Sequence, residues 1–346
     1  MKTFLSASLL AAAMLAPAPA VAAIPADSLF QIIRARSVHR ANADWARLDS
    51  SYRSGMADAK NERDTVRTVV RLFEALGDVH SQLMVDGRPY AHSPDYDVPT
   101  LARLRPLVQR SQREAGIART ALLDGRWLYV RVPGMSAWSG NRVNEASQAL
   151  ADSLCARAGG AAGEKIKGVV LDLRANSGGN LAIMAAGLGA LLGDGELGAS
   201  LDADGRRTRV FSLAGGEFSM NGVALARANP RCPASFATLP VAVIIGPATI
   251  SSGSITAMLF RGRPRTALIG EPTAAGYTTG NDWIPLDGRV QLNLATEYNA
   301  DRTGTVHRES VAPDIRVNGD DDFTDLPHDP KVWRAIRWLT AEAKRK

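Results

Sequence analysis

Val241-Ala242-Val243-Ile244-Ile245 is an unbroken apolar run closed by Gly246-Pro247, and from Ile255 to Phe260 apolar residues return at helical spacing. A run this short between turn residues reads as a strand buried on both faces, and the segment behind it as a helix packed on the same core. Gly168 to Leu173 repeats the pattern as a continuous apolar strand, followed by a helix from Leu181 to Leu192. Two such units predict an α/β fold with parallel strands. The turn of the first unit, Thr249-Ile250-Ser251-Ser252-Gly253, mounts a serine at the end of a rigid strand, beside the free amides and positive dipole end of the following helix. A serine nucleophile would stand there.

Ahead of this core, Asp44 to Arg53 and Arg63 to Leu76 read as a small N-terminal helical region, the second carrying Val66, Val69, Val70, Phe73 and Leu76 on one stripe. Gly77-Asp78 ends it, Ser81 to Val85 is extended, and Arg88 to Asp97 reads as a loop able to edge a site. Trp127 to Val132 reads as an alternating strand and Asn144 to Ala158 as a helix. Short strands follow around Thr266 to Ile269, Trp283 to Leu286 and Val290 to Leu294. Beyond Val317, Asn318-Gly319 and a run of aspartates form a solvated linker to an amphipathic helix over Val332 to Lys344. The expected division is a leader over 1–22, the helical region and loop over 23–120, the core over 121–318, and linker plus helix over 319–346.

Lys2, the apolar stretch from Leu9 to Leu15 and the small residues Ala20-Val21-Ala22 make residues 1–22 read as a secretory signal peptide, so the mature chain is expected to be exported, periplasmic or secreted. No later segment approaches the ~18 continuous apolar residues of a membrane span, which argues against stable membrane insertion. The formal charge of +6 comes from arginines scattered among acids, without a basic block or aromatic platform, so nucleic acid is not an expected partner. Cys155 and Cys232 are the only cysteines. In an exported chain such a pair is a disulfide candidate, two buried thiols being the alternative. Neither their spacing nor any His-Glu-x-x-His run suggests zinc, and no metal is expected.

Taken with Asp172-Leu173-Arg174-Ala175-Asn176-Ser177-Gly178-Gly179, Gly270-Glu271-Pro272-Thr273 and Ala312-Pro313-Asp314-Ile315, the serine turn resembles the S41 peptidase family of C-terminal processing and tricorn-type serine proteases. The resemblance runs from about Gly77 to Val317 and rests on the order and spacing of the four motifs. It implies a crotonase/ClpP-like spiral of β-β-α units, a polypeptide substrate and no cofactor. Many relatives carry a peptide-binding PDZ domain where only some 46 residues separate Ser81 from Trp127 here, so the chain resembles a PDZ-less member.

A serine hydroxyl needs a base. Many relatives use a lysine 25 residues after the serine; Gly276 holds that position, and no lysine occurs between Lys167 and Lys331. The tricorn-type branch uses a histidine ahead of the core, and Gly77-Asp78-Val79-His80-Ser81 resembles its Asp-Gly-His-Thr pattern, making His80 the expected base. The resemblance further implies Glu309 as the acid that orients His80, with His307 and Glu297 near enough to compete. It implies an oxyanion hole from the Gly178-Gly179 turn and the Ser252 amide. Ser252 is the rival nucleophile to Ser251, and Asp172 and Arg174 are expected to brace their turn. Ser254 stands where relatives often have glutamate. The function expected is a serine endopeptidase acting through an acyl-enzyme on Ser251. The alternatives are a non-catalytic ligand- or peptide-binding protein on the same fold, or an esterase. The sequence leaves the oligomeric state open.

Overall fold

The computed structural model describes residues 24–345 except 95, 158–165 and 320. The leader expected over 1–22 and the end of the helix expected to reach Ala158 lie outside the described residues.

The two apolar runs form adjacent parallel strands. In a six-stranded sheet, strand Gly168–Asp172 lies between Val241–Ile245 and Trp127–Arg131; Thr266–Gly270 and Ile315–Arg316 extend it on one side and the antiparallel Arg119–Leu123 on the other. Both faces are covered, which is why these strands are apolar throughout. Helices Gly140–Cys155, Leu181–Gly187 and Ser252–Phe260 pack on one face. Val332, Ala335 and Leu339 of the C-terminal helix Pro330–Glu342 cover the other. Trp127–Arg131 is therefore buried at every position and not alternating. The helix expected over Leu181 to Leu192 breaks at Leu188 into Leu181–Gly187 and Gly189–Leu192.

A second, antiparallel sheet of nine strands is built around Val290–Ala300, whose length pairs in turn with Gln82–Val85, Thr279–Pro285, Gly195–Leu201 and Val306–His307. Strands Arg207–Ala214, Glu217–Met220 and Val223–Arg227 continue it as a meander that the sequence reading did not anticipate. Helices Ala26–Arg36, Trp45–Ala57 and Glu62–Ala75 pack against its other end, burying Leu29, Phe30 and Phe73 with Leu83 and Leu292. Between Ser81 and Trp127 lie the hairpin Gln82–Val85/Arg88–Tyr90, the helix Val98–Glu114 and strand Arg119–Leu123. Part of the expected loop from Arg88 is thus a strand. Cys155, at the end of helix Gly140–Cys155, is bonded to Cys232, with the sulfurs 2.04 Å apart.

The Asp172-Leu173-Arg174 turn is locked to the C-terminal segment. Arg174 is fully buried and donates to Asp172 at 2.6 Å, Asp329 at 2.6 Å and Asp321 at 2.9 Å, while the Tyr129 hydroxyl donates to Asp172 at 2.7 Å. Burial pushes the Asp172 carboxyl up, but the guanidinium beside it outweighs this and holds it below its ordinary value. Asp329 also caps helix Pro330–Glu342 through the amides of Lys331 and Val332. This ion cluster ties the strand that carries the Gly178-Gly179 turn to the helix that covers the sheet.

Candidate active site

The two sheets meet at the serine turn. Ser251 follows strand Val241–Ile245 and precedes helix Ser252–Phe260, with φ +55° and ψ −127°. A non-glycine residue held there stores roughly 1–3 kcal/mol, which the surroundings must over-determine. They do so through Asn176: its carbonyl accepts from the Ile250 amide at 2.9 Å, and a Cβ on Gly253 would lie 2.6 Å from that same oxygen. Glycine at 253 thus permits the close approach of the two turns.

His80 reaches the serine from the other sheet. Helix Glu62–Ala75 terminates at Gly77, φ +66°, and the Asp78 carboxylate then accepts from the amides of His80 at 3.0 Å and Ser81 at 2.9 Å. The Ser81 hydroxyl donates to Asp78 and accepts from the Ala295 amide, docking the loop on strand Val290–Ala300. His80 Nε2 then stands 2.9 Å from Ser251 Oγ. Its Nδ1 is 2.7 Å from Thr279 Oγ1, the Thr279 hydroxyl donates to Asn281 Oδ1 at 3.0 Å, and Asn281 Nδ2 donates to the His80 carbonyl at 3.1 Å. This closed circuit has one consistent direction: Nδ1 carries the proton and donates to Thr279, leaving Nε2 bare to accept from Ser251.

Glu309 is not part of that circuit. Its side chain is exposed and its backbone carbonyl accepts from the Gly276 amide at 2.8 Å, so a neutral hydroxyl and not a carboxylate stands at His80 Nδ1. His307 pairs with Asp301 at 2.8 Å and Glu297 with Arg209 at 3.0 Å, which occupies both competitors. Ser252 Oγ donates to the Gly179 carbonyl at 2.8 Å, directed away from His80. Ser254 Oγ donates to the Thr249 carbonyl at 3.0 Å. Gly276 has φ +78°, and a Cβ there would lie 2.5 Å from Val79 Cγ2. The segment that delivers His80 therefore fills the space in which a lysine at 276 would begin.

The glycine pair divides its roles. Gly178 donates its amide to Asn176 Oδ1 at 2.9 Å, so this expected oxyanion donor is engaged within its own turn. Its own requirement is steric, since a Cβ would sit 2.8 Å from Ser251 Cβ. Among the described residues, the amides of Gly179 and Ser252 donate to no protein acceptor. Asn176, within the quoted motif but given no role from sequence, holds both turns, and Thr279 and Asn281 carried no sequence signal.

Burial pushes His80 down to about 4, with Asp78 pulling the other way and failing to offset it. The imidazole is thus neutral at pH 7. The dyad opens into a cleft of about 560 Å³ whose far wall is the meander, through Phe211, Met220 and Leu225. Trp138 and Trp283 meet edge to face across the cleft with ring centres 6.4 Å apart.

The sequence model of peptidase family S41 matches residues 126–317, more than half the chain, and the chain belongs to that family. The nisin-resistance protein of Lactococcus lactis subsp. lactis is 24% identical over 302 residues, covering 87% of this chain and 81% of that protein. A lipoprotein from Streptococcus agalactiae superposes with a TM-score of 0.65 at 20% identity, over 91% of this chain and 95% of that one. The photosystem II D1 C-terminal processing protease superposes with a TM-score of 0.53 at 14% identity, over 89% and 95%. At these identities the two structures share the fold. Among the described residues no helix is long and apolar enough to cross a membrane.

Proposed function

We propose that this protein is an exported serine endopeptidase that hydrolyses peptide bonds through an acyl-enzyme on Ser251, with His80 as general base. The observation that carries this is the 2.9 Å contact between Ser251 Oγ and the unprotonated Nε2 of His80. Ser251 Oγ attacks the scissile carbonyl while its proton passes to His80. The oxygen of the tetrahedral intermediate takes up charge between the Gly179 and Ser252 amides. The C–N bond then breaks and His80 returns the proton to the leaving amine. A water deprotonated by His80 releases the acid and restores Ser251. The passing imidazolium is stabilised by the buried Asp78 carboxylate and the Thr279–Asn281 dipoles.

Export is supported by the residue 1–22 leader and by the similar streptococcal lipoprotein. We read the strand–turn–helix units as a crotonase/ClpP-like spiral, with the helical region over 23–120, the catalytic core over 121–318 and the linker and helix over 319–346. The assembled dyad argues against the non-catalytic binding alternative. Turnover of an unfolded polypeptide and of an activated ester by the mature protein, each beside Ser251→Ala, tests the proposal. Peptide hydrolysis lost in the variant supports it, and ester turnover alone would make the protein an esterase.

Two consequences follow for pH. Only neutral His80 is competent, so kcat/KM should stay level as pH falls past 6.5 and decline toward about 4. Because the folded pKa lies below the unfolded one near 6.5, the stability from burying this imidazole is fully present above 6.5 and is lost as pH falls toward 4. Thr279→Val strands the Nδ1 proton and favours the wrong tautomer, so kcat should fall about 10²-fold, with Thr279→Ser restoring most of it. Equal rates for wild type and the valine variant would remove Thr279 from the mechanism.

A further inference from the structure

The catalytic cleft has a neighbouring groove on the His80 side. This groove, of about 690 Å³, lies between helix Glu62–Ala75 and the segment 89–93, and Gln82 and Tyr277 line both spaces. Tyr277 sets its ring against His80 with centres 5.3 Å apart, so the two spaces adjoin beside the base. The base that takes the serine proton must deliver it to the leaving amine, so the C-terminal product segment departs on the His80 side of the nucleophile. Adjacency and chemistry together point to the leaving segment as the occupant of this groove.

Its lining defines what that segment carries. Val66 and Val70 lie on one helical face with Arg63 and Arg67, three and four residues apart, and Tyr90 and His92 face them from the other wall. Among the described residues no carboxylate lines the groove. Arg67 also bonds Asp64 at 3.0 Å, whereas Arg63 has no carboxylate partner among the described residues. The catalytic cleft differs, because the one arginine among its described lining residues, Arg209, is neutralised by Asp282 at 2.5 Å and Glu297 at 3.0 Å.

We propose that this groove is the seat of the leaving segment and that Arg63 and Arg67 select substrates with a carboxylate, from Asp, Glu or the chain end, within the first few residues after the scissile bond. The assignment rests on the peptidase function proposed above. It is tested by mapping cleavage sites in a mixed peptide library by mass spectrometry, with wild type and with Arg63→Glu/Arg67→Glu, and by turnover of an activated ester with no leaving peptide.

Wild type should favour a carboxylate on the leaving side by roughly threefold to tenfold at low salt, fading at high salt, as expected for partly solvated charge pairs. The charge-reversed protein should favour Lys or Arg there, with ester turnover unchanged. Amidating the peptide C-termini separates the chain-end carboxylate from side chains. The neutral variant Arg63→Gln/Arg67→Gln should flatten the preference, and it guards against misfolding of the reversed one. A preference that is the same in all three proteins overturns the groove assignment. Ester turnover without any peptide cleavage by wild type overturns the peptidase function and this assignment with it.

Discussion

Ser251→Ala is expected to lower kcat on a polypeptide substrate by roughly 10⁴-fold or more, and His80→Ala by a similar factor. The two residues act as one unit. In the proposed mechanism the hydroxyl attacks as its proton passes along the 2.9 Å Oγ–Nε2 contact, and without the serine the imidazole has no nucleophile to activate. The double variant should therefore be little slower than either single one, and an additive loss would show that the groups act separately. Ser252→Ala should cost far less, because its hydroxyl serves the Gly179 carbonyl and its amide, which the proposed oxyanion hole uses, is kept. Gly276→Lys should not rescue His80→Ala, since the lysine would start from φ +78° against Val79.

Arg174→Ala is expected to destabilise the fold by about 3–5 kcal/mol. The loss is not that of a surface pair: the guanidinium and the carboxylates of Asp172 and Asp329 are all inaccessible, and removal leaves these two and the nearly buried Asp321 without their shared cation. The Phe323 ring, whose centre is 4.5 Å from the guanidinium carbon, loses one of its cation–π partners, with Arg110 and Arg131 remaining. Because Asp329 caps helix Pro330–Glu342, the damage should spread to the covering helix. Thermal unfolding would read this as a fall in Tm of roughly 4–7 °C. Arg174→Lys should recover little of it, because one ammonium cannot match three carboxylates in the geometry of a guanidinium fork. An unchanged Tm in the alanine variant would mean that the cluster does not hold the turn.

What could be read from the sequence followed from where burial is local. Val241–Ile245 and Gly168–Asp172 are covered on both faces, so their apolar character is continuous and visible in one dimension. The meander from Arg207 to Arg227 was missed because its burial is one-sided and broken, with Arg207, Ala214, Val223 and Leu225 exposed, and its pairing depends on a distant partner, strand Val290–Ala300. That strand was itself read only as far as Leu294, because Thr296, Glu297 and Asn299 are polar residues buried by tertiary contact. Helix Val98–Glu114 carries Pro106 in its interior, which argues locally against a helix, although Pro99 stands in the first turn, where proline is tolerated.

At the site, motif order pointed to Ser251, His80 and the glycine turn. Thr279 could not be found in the same way, as it lies 199 residues from His80 and a lone threonine has no pattern. The expected acid, Glu309, follows a branch of the family in which a carboxylate orients the histidine. Here the loop turns so that the Glu309 backbone, and not its side chain, faces the site through Gly276. Gly178 serves shape within its motif, while the oxyanion role proposed for its neighbour Gly179 serves chemistry.

The most direct test is a fluorophosphonate probe applied to the folded mature protein across pH 4 to 8, with mass-spectrometric mapping of the adduct in wild type, Ser251→Ala and His80→Ala. The account predicts one adduct, on Ser251, formed at a rate that holds level down to about pH 5 and is lost in both variants. An adduct on Ser252, or labelling of Ser251 that survives loss of His80, would contradict the proposed dyad. No adduct on the folded protein would contradict its being a serine peptidase.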